Sequence, residues 1–155
     1  MVQAIPADYA GVTPYLIFRD AARAIEFYKK AFNAVETVRL AAPGDRIGHA
    51  ELKIGGGFIM LADESAESGA RSVEDFGGSP VSLMFYTTDV DKSFAQAIAA
   101  GGKVERNVMD QFYGDRSGTL TDPFGYTWTI ATHTEDLSGE EMDKRMRAMM
   151  ASDNP

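Results

Sequence analysis

Asp20 and Asp89 stand 69 positions apart, and each opens the same succession of patterns. A short apolar run precedes each aspartate, at residues 12–18 (VTPYLIF) and 81–87 (VSLMFYT). After Asp20, the residues Ala21, Ala24, Ile25, Tyr28 and Phe32 fall at helical spacing; after Asp89, Val90, Phe94, Ala97 and Ile98 do the same. An aspartate accepts hydrogen bonds from the orphan amides of a first turn, so both positions predict helix N-caps. Lys29 and Lys30 suit the end of the first helix dipole, and Gly101-Gly102 closes the second. Three further strands follow in each half: residues 35–41, 46–54 and 58–62, then 103–109, 112–121 and 126–132. A shift of 69 carries Ile25 onto Phe94, Ala31 onto Ala100, Val35 onto Val104 and Glu36 onto Glu105. A duplicated unit that cannot bury its own apolar face implies two units packed together.

The predicted fold is therefore α+β: two paired βαβββ modules, each one helix and a four-stranded curved sheet, plus a C-terminal helix. The module boundaries fall at 11–64 and 80–134 of a single domain. The Ser-, Gly- and Glu-rich stretch 65–79 joins them, with one helical turn expected around Val73–Phe76. Thr121-Asp122-Pro123-Phe124-Gly125 is the clearest hairpin turn, because proline presets φ, aspartate can bond the local backbone and glycine supplies positive φ. Ser138 and Glu141 form a capping box for a helix over 138–151, and Met142, Met146 and Met149 line one side of it. A methionine stripe of that kind docks on the protein's own body or on a second subunit.

Composition narrows the partners. The formal charge is −8, with 23 acidic against 15 basic residues, which argues against nucleic acid and against anionic membrane. A neutral or cationic small ligand is compatible with it. With no cysteine there is no disulfide, thiolate metal site or cysteine nucleophile. The N-terminus has neither the basic start nor the apolar core of a signal peptide, so a cytoplasmic location is expected.

Paired βαβββ modules carrying Pro14-Tyr15-Leu16, Gly114-Asp115-Arg116, Asp122-Pro123-Phe124-Gly125, Trp128 and Ala131-Thr132-His133 resemble the vicinal oxygen chelate superfamily. That group includes glyoxalase I, extradiol dioxygenases and bleomycin-resistance proteins, and the likeness is greatest to its PhnB-like branch. The resemblance implies a cup formed by the two sheets, helices on their outer faces, a small-molecule ligand and a homodimer. It also implies where metal ligands would sit: seven residues before each helix-opening aspartate, at Thr13 and Ser82, and on each module's last strand, at Thr129 and at Leu61 or Met60. None of these is a ligand of the His/carboxylate type that divalent ions favour. No metal and no cofactor is therefore expected at the standard site.

Strand alternation places Thr13 and Tyr15 on the face of the first metal position, with Ser82 and Tyr86 in the second module and Thr129 and His133 on the last strand. His49 and Glu51 share one strand face. One reading makes Glu51 a base or ligand anchor with His49 as acid partner. The other makes them a polar strand row continued by Lys53. Arg116 either pairs with Asp115 or holds an anionic ligand by its planar fork. His133 lines the cup or closes the last strand locally, Phe112 and Tyr113 are expected at the pocket rim, and Trp128 is expected in the core. Three functions remain open: a non-metal ligand-binding protein of the resistance type, a metal-dependent lyase or isomerase with a site shifted to His49, Glu51 or His133, or a binding module whose ligand is recruited only by a partner.

Overall fold

The computed structural model describes residues 2–152. The first module runs β1 (Tyr15–Phe18), α1 (Ala21–Phe32), β2 (Val35–Ala42), β3 (Arg46–Ile54) and β4 (Gly57–Asp63). The second runs β5 (Ser82–Tyr86), α2 (Val90–Ala99), β6 (Lys103–Asp110), β7 (Asp115–Thr121) and β8 (Thr127–His133), and α3 (Gly139–Ser152) follows. Single 3₁₀ turns occupy Ala7–Tyr9 and Val73–Phe76. Each sheet is open, in the order β1-β4-β3-β2 and β5-β8-β7-β6. In both, the first strand lies parallel to the last and the other pairs are antiparallel. The duplication is thus a duplication of topology.

Both helices start as the aspartates dictate. Asp20 Oδ1 accepts from the Arg23 amide at 2.9 Å, and Asp89 Oδ1 from the Lys92 amide at 3.0 Å. Helix α1 turns its buried face, including Ala24, Ile25, Tyr28 and Phe32, to the first sheet and to the second module. The two helices also touch: Gln96 Nε2 donates to the Lys30 carbonyl at 2.8 Å and to Asn33 Oδ1 at 2.9 Å.

One apolar core runs through both modules, and its centre is polar. Asp122, 4% exposed, accepts from Tyr28 Oη (2.6 Å), Trp128 Nε1 (3.0 Å) and the amides of Phe124 and Tyr126 (2.9 Å each). Tyr28 comes from the first module, and Asp122 and Trp128 come from the second. The turn aspartate therefore closes its own hairpin and fastens the modules together. A second tie caps a free sheet edge: Tyr126 Oη accepts from the Ile17 amide and donates to the Ile17 carbonyl, both at 3.1 Å. Trp128 is core, 2% exposed.

Two strands start three residues later than expected, and the other differences are of one residue. β1 begins at Tyr15 rather than at Val12, because Pro14 brings no N–H to the ladder and offers only its carbonyl, which accepts from Met60 N at 2.9 Å. β7 begins at Asp115 rather than at Phe112. Gln111 N bonds the Asp115 carbonyl (2.7 Å) and Gly114 N bonds the Gln111 carbonyl (3.2 Å), folding Phe112 and Tyr113 into the turn. Helix α3 keeps its cap, with Glu141 N donating to Ser138 Oγ at 3.2 Å. It buries no residue, and Met146, Met149 and Met150 are exposed.

Candidate functional site

Because alternate strand residues face opposite ways, each sheet has a helix-covered side and an open side. On β3, Ala50 and Leu52 are buried while His49 and Glu51 point to the open side. On β1, Leu16 and Phe18 are buried while Tyr15 is 48% exposed on that same open side. Tyr15 reaches over the intervening strand β4, so that Tyr15 Oη lies 2.8 Å from His49 Nδ1. His49 Nε2 lies 3.2 Å from Glu51 Oε1, and Glu51 Oε2 accepts from Tyr9 Oη. The four side chains form one row: Tyr15, His49, Glu51, Tyr9.

The proton positions in this row follow from donor counts. An ionised carboxylate only accepts, so with a neutral imidazole Nε2 carries the hydrogen toward Glu51 and Nδ1 accepts from Tyr15. The hydrogen bond from Tyr9, followed by that from His49, holds the Glu51 carboxyl below its ordinary value. Burial and then the Glu51 carboxylate push the Tyr9 phenol up to about 12, and burial raises Tyr15. Both phenols are therefore donors at neutral pH. Tyr9 also packs its ring on Phe58, with centroids 4.9 Å apart. Tyr9 was missed in the sequence, because the irregular lead-in carries no periodicity pointing toward a glutamate 42 positions away.

A second polar cluster occupies the open side of the other sheet. Asp115, 4% exposed, accepts from Tyr86 Oη at 2.7 Å and lies 2.7 Å from His133 Nδ1. His133 Nε2 lies 3.0 Å from Asp136 Oδ1. Asp115 and then Asp136 raise the His133 imidazole, and the Asp115 carboxylate raises the Tyr86 phenol. Ser82 is exposed on β5, and Thr129 shares a hydrogen bond with Thr119 (3.1 Å).

Arg116 does not make the expected pair with Asp115. Asp115 and Arg116 are neighbours on a strand, so their side chains leave opposite faces and do not pair. Arg116 turns toward α2, where its fork holds Asp91 through Nε and Nη2 (2.8 Å each) and Asp110 through Nη1 (3.0 Å). It is neutralised on the side away from Tyr86 and His133. Phe112 and Tyr113 sit half-buried in the β6–β7 turn, packed edge to face at 5.2 Å.

The metal positions that the resemblance implies carry no imidazole or carboxylate. Register places Met60 opposite both Tyr15 and Glu51, while Leu61 is fully buried, so Met60 rather than Leu61 takes the open-side position on β4. The set is then Thr13, Met60, Ser82 and Thr129, which offers hydroxyls and a thioether but no imidazole or carboxylate. Among the described residues, no three His, Asp or Glu side chains are grouped to hold an ion at a shifted place. Also among them, no helix is long and apolar enough to cross a membrane.

Two cavities adjoin these side chains. One of about 600 Å³ is lined by Tyr15, Ile17, Arg46, Ile47, Glu64 and Ser65, among others. Another of about 480 Å³ lies where the modules meet, lined by residues including Val12, Pro14, Phe58, Met84 and Tyr86.

Residues 10–130 match the profile of the Glyoxalase/Bleomycin resistance protein/Dioxygenase superfamily. An uncharacterised protein of Mycobacterium bovis is 38% identical over 138 residues, spanning 87% of this chain and 91% of its own. The solved structure of the PhnB protein from Bacillus cereus superposes with a TM-score of 0.60 at 18% identity, over 78% of this chain and 98% of its own. A genomically encoded fosfomycin resistance protein of Listeria monocytogenes superposes with a TM-score of 0.59 at 16% identity, over 92% and 99%. At those identities the two structures speak to the fold.

Proposed function

The chain belongs to the glyoxalase/bleomycin resistance/dioxygenase superfamily, and from that premise we propose that it is a small-molecule-binding protein of the resistance type that works without the superfamily's metal. The observation that carries this reading is the set Thr13, Met60, Ser82 and Thr129, which replaces chelating side chains with hydroxyls and a thioether. The open faces keep the features of a ligand site: apolar and aromatic walls with a few convergent polar groups. Tyr15, His49 and Glu51 supply these on one sheet, and Ser82, Tyr86 and Thr129 on the other.

The protein acts as a homodimer in which a second copy covers the open faces. Exposed Tyr15, Met84, Tyr86 and Met109 on the open strand faces support that arrangement, since contiguous exposed apolar side chains mark interaction surfaces. The negative charge favours neutral or cationic ligands.

Elemental analysis of protein purified without chelator, combined with a thermal-shift screen of aromatic and cationic compounds, tests the reading. A ligand present at about 100 times its Kd adds ~2.7 kcal/mol, which raises the melting temperature by roughly 5–11 °C for a chain of this size. One divalent ion per chain would contradict the proposal. Sedimentation velocity tests the dimer.

A further inference from the structure

Ser72 is 1% exposed, and among the described residues its Oγ is the one buried side-chain nitrogen or oxygen that bonds to nothing. The serine precedes the 3₁₀ turn Val73–Phe76, where its hydroxyl would ordinarily accept an amide of that turn, yet it makes no cap bond. A hydroxyl taken out of water without a partner is destabilising. Ser72 lines a cavity of about 220 Å³, together with Ile17, Phe18, Arg23 and Phe124. Three separate stretches meet there: the end of β1 with the start of α1, the connection between the modules, and the hairpin turn of the second module.

The charges around this cavity leave one cation without a carboxylate. Arg19 gives Nε to Glu74 at 3.0 Å and Nη2 to Asp75 at 2.7 Å, and Arg71 gives Nε to Asp75 at 3.3 Å. Asp20 is committed to the Arg23 backbone amide, as the cap of α1. The Arg23 guanidinium lies over the Phe124 ring, 5.5 Å from its centroid, and among the described residues it forms no ion pair. Held over an aromatic face, a guanidinium keeps its edge donors for a planar acceptor with two oxygens.

We propose that this cavity binds a small organic monocarboxylate, with the Arg23 guanidinium and the Ser72 hydroxyl donating to its oxygens and Ile17, Phe18 and Phe124 receiving its apolar tail. The walls select that class. Asp20 and Glu74 also line the cavity, so a second negative charge on the ligand is repelled and a dianion such as phosphate is disfavoured. The net charge of −8 opposes anions over the molecule as a whole. Here Arg19, Arg23 and Arg71 match Asp20, Glu74 and Asp75 one for one, so the local field does not. None of Tyr15, His49, Glu51 and Tyr86 lines this cavity, and the site is separate from the one proposed on the open faces. A carboxylate bound where the three stretches meet ties both modules to their connection.

Butyrate is the probe, with butyramide and inorganic phosphate as comparisons at mildly alkaline pH. In an NMR titration the Arg23 Nε–H and Ser72 amide signals should shift saturably with butyrate, while those of His49 and Met84 stay still. Arg23→Gln and Ser72→Ala should each weaken butyrate at least about tenfold, the factor carried by a hydrogen bond to a charged group. Butyramide, which keeps the shape without the charge, should lose as much, and phosphate should bind more weakly than butyrate. Melting temperatures separate a ligand role from a structural one. Without butyrate, Ser72→Ala should melt no lower than the natural protein, because it removes an unpartnered hydroxyl. With butyrate at one concentration for both, the natural protein should gain more. No saturable shift at Arg23, phosphate binding as tightly as butyrate, a Kd indifferent to either substitution, or Ser72→Ala melting lower without butyrate would each overturn the proposal. None of these results depends on whether the thermal-shift screen of aromatic and cationic compounds finds a ligand for the open faces.

Discussion

Tyr28→Phe isolates the bond that fastens the two modules. Phenylalanine keeps the ring, which packs on Phe18, Phe32, Phe124 and Trp128, and removes only the hydroxyl that reaches Asp122 at 2.6 Å. Asp122 receives four donors and offers none, so it is held as a carboxylate and the lost bond is charge-assisted. Such bonds are worth about 1.5–3 kcal/mol, equivalent to roughly 3–12 °C in melting temperature for a chain of this size. The deficit should depend on pH. Burial pushes the Asp122 carboxyl up, although Tyr28, the two amides and Trp128 act against it. A raised folded pKa means that this group's stability contribution is complete below the unfolded value of about 3.9 and is lost as pH rises through the folded one. On the acid side the Tyr28 bond becomes a neutral one worth about 0.5–1.5 kcal/mol, so the variant's deficit narrows there and is widest at neutral pH. Urea unfolding of both proteins at several pH values, with unchanged m, measures it. A loss below about 0.5 kcal/mol at neutral pH, or the same loss at every pH, would refute the clamp.

Other perturbations follow from the same geometry. Gly118→Ala places a Cβ 2.8 Å from Phe94 Cε2 and from Val108 Cγ2, so the Phe94 ring and the Val108 side chain must give way; the expected cost is about 1–3 kcal/mol by chemical denaturation. Gly114 has φ +92°, and a Cβ there would overlap the Glu135 carbonyl oxygen, so Gly114→Ala should cost more than Gly118→Ala. Asp115 and Asp136 raise His133. Its contribution is present below the unfolded value near 6.5 and is lost as pH rises through the higher folded value. His133→Asn should therefore flatten the stability profile above about pH 6, as read from melting temperature across a buffer series.

The architecture was legible because it rests on local signals. Asp20 and Asp89 begin helices by their own chemistry, and the alternation of Ala50 and Leu52 against His49 and Glu51 assigns strand faces without knowledge of the partner strands. What escaped was set by contacts between distant segments. Asp122 could be read as a turn residue, but nothing in the turn shows that Tyr28 would reach it across the module boundary. Arg116 follows an aspartate in sequence, yet strand geometry sends the two side chains to opposite faces, and Asp91 on α2 claims the guanidinium. Tyr9 belongs to a segment without periodicity, and only the position of Glu51 in space gives it a role.

The open faces are the account's centre, and side-chain NMR tests them most directly. The methionine methyl of Met84 and the imidazole of His49 report on opposite sheets, while a methyl of the fully buried Ile130 reports on the core behind them. During titration with aromatic and cationic compounds, the Met84 and His49 signals should shift together and saturably while the Ile130 methyl stays still. Saturable binding that moves the convex helices or α3 and leaves Met84 and His49 unperturbed would contradict the account.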